Sequence, residues 1–122
     1  MTTYIVSRDI LAKNVKKLQK RAGPVPIWAV IKGDGYGLGA LPLAEALREN
    51  GITHFCVTEP CEAELLRQNG FEREPILMLR ETQQREELGR LLDARVILTV
   101  GSTAAAKCIN DIAATRADMA EV

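Results

Sequence analysis

Apolar and polar positions alternate between two periods along the chain. Leu11, Val15, Leu18 and Ala22 follow helical spacings of four, three and four, with Ser7 or Asp9 placed to cap the helix and Gly23-Pro24 to end it. Ahead of that helix, Thr3-Tyr4-Ile5-Val6 is a short β-prone segment. Val25 to Ile31 is a nearly continuous apolar run broken only by Pro26, a pattern that suits a parallel strand buried on both faces. A glycine-rich turn, Gly33 to Gly39, leads into a helix over Leu41 to Glu49 with Leu43, Ala44 and Leu47 inward, and Asn50-Gly51 predicts a left-handed C-cap. The same order then repeats: a strand over Ile52 to Val57, a helix over Glu59 to Gln68 closed by Asn69-Gly70, and a strand over Pro75 to Leu79. A helix over Gln83 to Leu92, a β-branched strand over Val96 to Val100 and a helix from the Ser102 cap toward Arg116 complete it.

The strands begin near positions 25, 52, 75 and 96. Such spacing is that of βα units, which predicts an α/β fold of about four units with parallel strands and right-handed crossovers. Two architectures accommodate four units. One is an open doubly wound sheet, complete at this size. The other is a TIM-type (β/α)8 barrel, which needs roughly 250 residues and would be half present. Periodicity alone does not choose between them.

Composition narrows the function classes. Over 122 residues, 16 Lys and Arg balance 16 Asp and Glu, so no electrostatic footprint points to nucleic acid or an anionic membrane. The densest basic stretch, Lys13 to Arg21, lies on the first predicted helix and reads as its solvated face. No window is apolar enough to span a bilayer, and Met1-Thr2-Thr3-Tyr4 lacks the layout of a signal peptide, so a cytoplasmic location is expected. Cys56, Cys61, Cys108 and the single His54 show no zinc spacing, so no metal is expected and the thiols read as reduced and mostly buried.

The segment that carries chemistry is Trp28-Ala29-Val30-Ile31-Lys32-Gly33-Asp34-Gly35-Tyr36-Gly37-Leu38-Gly39. A lysine stands at the C-terminal end of a buried strand, the end at which α/β folds bind ligands. A nucleotide phosphate loop is excluded because within this segment Lys32 precedes every glycine and no Ser or Thr follows. A dinucleotide fingerprint fails too, since the last required glycine falls on Leu38 or Ala40. An ordinary lysine snorkelling to water is the plain alternative. The chemical reading is a lysine in a partly desolvated pocket, where burial frees the amine to form a Schiff base with a carbonyl cofactor.

Ala29-Val30-Ile31-Lys32, followed by Tyr36-Gly37 and Gly39, resembles the pyridoxal-phosphate attachment motif of the alanine racemase family. Tyr4 to Asn14, Val57-Thr58 with Glu62-Ala63, and Asn69-Gly70 to Leu79 are similar to the family in the same register. The resemblance implies that residues 1–122 are the N-terminal half of a racemase barrel, with the rest of the barrel and a C-terminal β domain absent. It implies pyridoxal 5'-phosphate as cofactor, Lys32 as the Schiff-base lysine and base toward one face of the substrate, Tyr36 on the cofactor phosphate, and Leu79 lining the pocket. A small amino acid, alanine before others, is the implied substrate, and the full-length protein is expected to be a homodimer. Its opposite-face tyrosine would come from the C-terminal domain of the partner subunit, so the fragment alone is expected to be inactive. Gly33 and Gly35 stand where the family usually has Ala, and Leu38 where it frequently has His. Other readings remain: a complete small α/β module that holds a phosphorylated ligand, or a related decarboxylase, aldolase or other amino-acid racemase on the same barrel.

Overall fold

The computed structural model describes all residues, 1–122. Helix α1 (Arg8–Ala22) precedes strand β1 (Trp28–Val30), the short helical segment α2 (Lys32–Tyr36) and helix α3 (Ala40–Glu49). Strand β2 (His54–Val57), α4 (Pro60–Gln68), β3 (Ile76–Met78), α5 (Arg85–Asp93) and α6 (Thr103–Thr115) follow. Ser7 caps α1 by accepting from the Ile10 N–H at 3.3 Å, and Ser102 caps α6 by accepting from Ala105 at 3.1 Å. The two Asn-Gly helix ends use one device: Asn50 and Asn69 each donate a side-chain N–H to the carbonyl four residues back, at 2.8 Å, and the following glycine takes the left-handed φ.

The strands pair in parallel in the order β1-β2-β3, with Ala29 beside Phe55 and Phe55 beside Ile76. Ile97 adds a fourth position as an isolated bridge to Leu77, with Met78 N–H donating to its carbonyl at 2.9 Å. A doubly wound sheet reverses its strand order at a switch point and carries helices on both faces. Here the order never reverses, and the helices pack in sequence along one side, α3 on α4, α4 on α5 and α5 on α6. Repeated right-handed crossovers in one direction require this, and it is the winding of a barrel.

The core lies between that side of the sheet and the helices. Ile31, Phe55, Val57, Ile76 and Met78 meet Ala44, Ala63, Leu66, Leu88, Leu91 and Ile109. The opposite face carries no layer, which corrects the expectation that the first strand is buried on both sides: Trp28 and Val30 are each 37% exposed. That strand is also shorter than the apolar run, since Pro26 has no N–H to give a ladder. Thr3 to Val6 is no strand but an exposed lead-in, because no neighbour offers it a ladder. The fourth predicted strand shrinks to the Ile97 bridge, and Leu18 faces solvent, leaving Val15 as the one fully buried residue of α1. Only Cys56 of the three thiols is buried, and burial pushes its ionisation up.

Arg67 closes the end of the sheet at which the strands begin. Its guanidinium donates to the carbonyls of Phe71, Glu74, Ala94 and Arg95, all in the loops that enter β3 and the Ile97 segment. Phe71 packs edge-on to Phe55 with centroids 5.4 Å apart, and the Arg48 guanidinium lies 3.8 Å over its ring. Phe71→Ala therefore empties a fully buried position and removes a cation–π contact, and is expected to cost about 3–5 kcal/mol in urea denaturation.

Candidate active site at the C-terminal strand ends

The chain leaves β1 by an uncommon route. Gly33, Asp34 and Gly35 have φ of 60°, 53° and 64° with ψ of 45°, 46° and 39°, and Tyr36 continues at φ 58°. These are left-handed helical dihedrals, and the matching bonds are present: Gly35 N–H donates to Ile31 at 2.9 Å and Gly37 N–H to Gly33 at 3.0 Å. Each L-residue with a Cβ costs roughly 1–2 kcal/mol in such a turn. The alternate glycines meet this constraint at 33, 35 and 37, leaving Asp34 and Tyr36 as the two residues that bear it.

Asp34 offsets its strain with a bond across the turn. Its Oδ1 accepts from the Ala40 N–H at 2.9 Å, at the first residue of α3, whose N-cap Gly39 has no side chain to do so. The carboxylate thus caps α3 from six residues upstream and sits at its positive end. Gly35 gives α3 room to start there, since a Cβ on Gly35 would stand 3.2 Å from the Ala40 backbone.

Lys32 is held between the end of β1 and this turn. Val30 pairs with Cys56, and Cys56 with Leu77, so two residues further on Lys32, Thr58 and Leu79 fall in one row across the strand ends on the open face, with the end of β2 between the lysine and the leucine. Leu79 extends the ladder by donating to the Val57 carbonyl at 2.8 Å and is 40% exposed. Lys32 is exposed as well, which differs from the partly desolvated pocket read from the sequence: a lysine at a strand end is shielded only if both faces are covered, and this one is not. Tyr36, in the last position of α2, is 64% exposed. The structure brings Lys32 and Leu79 to one face and keeps Tyr36 four residues away on the same rigid turn.

Arg80 is a residue the sequence reading missed. It follows Leu79 and donates to the Thr58 carbonyl at 2.7 Å, to Glu59 at 3.0 Å and to both oxygens of Glu87, at 2.8 and 3.1 Å. Thr82 donates to Glu87 at 2.7 Å. One guanidinium therefore ties the loop after β2 to the start of α5. Next to it Glu81 accepts from Gly101 N–H at 2.6 Å and from the Ser102 hydroxyl at 2.8 Å, fixing the entry to α6. Nothing in the local sequence pattern marks these partners, which lie 5 to 22 residues apart.

The bond from Arg80, then that from Thr82, holds the Glu87 carboxyl below the usual glutamate range, and Arg90 does the same for Glu64. A carboxyl whose folded value is depressed stabilises fully above its unfolded pKa, about 4.3, and loses that contribution as pH falls through the folded value. The thermal midpoint is therefore expected to hold from pH 7 to about 5 and to fall below about 4. Arg80→Met should flatten the acid limb. For the turn, Gly33→Ala meets open space and only the backbone strain, so a loss of about 1 kcal/mol is expected. Gly35→Ala adds the Ala40 contact and should cost about 2 kcal/mol or more by urea midpoint.

Residues 6–122 match the family model described as "Alanine racemase, N-terminal domain". An alanine racemase of Desulforamulus reducens is 36% identical over 118 residues, covering 96% of this chain and 31% of that protein. The solved alanine racemase of Clostridium difficile 630 in complex with cycloserine superposes with a TM-score of 0.80 at 32% identity, over 93% of this chain and 30% of that one. A histidine racemase from Leuconostoc mesenteroides shares the fold, with a TM-score of 0.82 at 22% identity. The chain thus spans under a third of the length of these relatives, and within that span the parallel one-sided sheet, the lysine-bearing strand end and the family match agree: it belongs to the alanine racemase family, as the N-terminal part of its barrel.

Proposed function

We propose that these residues form the N-terminal part of a pyridoxal-phosphate-dependent racemase that interconverts L- and D-alanine. The observation that carries this reading is Lys32 at the C-terminal end of β1, on an open sheet face and fixed by a left-handed turn, in a chain of this family. The residues present fit one side of such a cofactor. Lys32 offers an exposed amine, Val30 and Leu79 offer an apolar surface on the same face, and the space beside Gly33 and Gly37 is open to close approach. Tyr36 would give its hydroxyl to the phosphate and Leu79 would line the pocket.

When bound, pyridoxal phosphate supplies an electron sink that acidifies the substrate Cα–H. Lys32 would attach the cofactor and, once substrate takes its place, accept and return a proton on one face of Cα. The strand end and the turn fix the backbone from which its amine extends, which serves proton transfer because misplacement by about 1 Å is costly. On the family resemblance the opposite-face base would be neither Tyr4 nor Tyr36, the two tyrosines of this chain, because both fall in the wrong part of the match. It would be a tyrosine of a C-terminal domain, given by the partner subunit of a homodimer. Residues 1–122 alone would then not racemise.

Borohydride reduction of the protein mixed with pyridoxal phosphate, followed by peptide mass spectrometry, is expected to place the label on Lys32. Labelling of another lysine overturns the assignment. In a protein carrying the remaining domains, Lys32→Ala is expected to lower alanine racemisation by about 10³-fold or more, with circular dichroism unchanged. Faster turnover of another amino acid than of alanine would change the substrate but keep the chemistry.

A further inference from the structure

Between the turn that follows β1 and the start of α4 lies a groove of about 570 Å3. Asp34 forms one wall and Thr58, Glu59 and Glu62 the other, with Ala40 and Leu65 as apolar surfaces. Three carboxylates line it and no Lys, Arg or His does. Two of the three are already engaged, Asp34 with the Ala40 N–H and Glu59 with Arg80.

Glu62 is the exception. It stands in the first turn of α4 and is only 8% exposed. Oε1 takes a long 3.4 Å bond from the Thr58 hydroxyl, while Oε2 is buried and has no hydrogen-bond partner at all. A buried carboxylate oxygen left unpaired costs at least as much as a lost hydrogen bond. The turn of Lys32 and the first turn of α4 thus meet over an acceptor that the folded chain leaves unsatisfied. Glu62 itself lines the groove, and the terminal torsion of a glutamate is soft, so its carboxylate can reorient there at little cost.

We propose that this groove binds a primary ammonium or guanidinium group on an apolar stem, with Glu62 as its acceptor. No three His, Cys, Asp or Glu side chains converge closely enough to hold a metal ion, so the donor set suits an organic cation. Such a cation needs only one or two charge-assisted bonds, and its stem can lie against Ala40 and Leu65. The inference does not depend on the chemistry of Lys32, which does not line the groove.

The test is a titration of the chain, followed by 15N-resolved NMR, with butylammonium and butylguanidinium and with 1-butanol as the uncharged probe. Saturable shifts at the Asp34, Thr58 and Glu62 amides are expected from both cations and not from butanol, weakening as salt is raised. Glu62→Gln, nearly the same in shape, should weaken cation binding about tenfold or more while the thermal midpoint holds or rises. Equal shifts with butanol, unchanged affinity in Glu62→Gln, or no salt dependence in the unaltered chain overturns the proposal, and the last of these stands even if the variant fails to fold. A short peptide with one arginine, set against the same peptide with citrulline, separates the two sources of the cation. Tighter binding of the arginine peptide than of butylguanidinium assigns the groove to a polypeptide side chain, and the reverse order assigns it to a small molecule.

Discussion

The sheet is covered on one side only, and the rest of the structure depends on that constraint. Parallel strands in unreversed order, joined by right-handed crossovers, must send every connecting helix to the same face. Ile31, Phe55, Val57, Ile76 and Met78 are therefore buried, while their neighbours Trp28 and Val30, one residue away in the alternation, are half in water. Lys32 belongs to the second set. Its exposure follows from the same alternation that buries Ile31, and any pocket around its amine has to be completed by structure packed on the open face.

The turn after β1 answers a second demand. The chain must leave the sheet, place a lysine at its rim and start α3 close beside it. A right-handed turn would not bring Asp34 back over Ala40 along this path, whereas four successive left-handed residues do. The alternate glycines then have a mechanical purpose that does not require any ligand: they remove Cβ strain at two of these four positions, and Gly35 lets the α3 backbone approach to a distance that a Cβ would crowd. Where the family usually carries Ala, this chain carries Gly33 and Gly35, which lowers the strain of the turn itself at the cost of a more flexible unfolded chain.

The unit order, the helix ends and the lysine position were legible because each is written locally. Apolar periods, Asn-Gly pairs and Ser caps act over four residues or fewer, and the structure places them within one to three residues of the sequence reading. The failures share a cause. Burial of β1 on both faces and a full strand at Val96 to Val100 were inferred from apolar content, yet both depend on neighbours that the local pattern does not specify. The Arg80 clamp, the Asp34 cap and the unpaired Glu62 oxygen were invisible for a related reason: a charged residue in a loop reads as solvated until the fold shows which carbonyl, amide or carboxylate it meets. The candidate site was accordingly half legible, its lysine by sequence and its supports only by structure.

The two ends of the sheet are tied by arginines that lean on different partners. Where strands begin, Arg67 alone donates to four backbone carbonyls, bonds whose acceptors carry no charge to titrate, and burial pulls its own pKa down. Where strands end, the ties run between ionised side chains, Arg80 with Glu59 and Glu87, and between Glu81 and the α6 entry. The backbone-directed bonds of Arg67 are insensitive to pH and salt, while the Arg48–Glu74 pair beside them and the ion pairs at the opposite end respond to both. In barrels the end at which strands finish is the one that carries chemistry. Lys32, Leu79 and the Glu62 groove all lie there, so the charges that position the candidate site are also the ones most open to adjustment by what binds beside them.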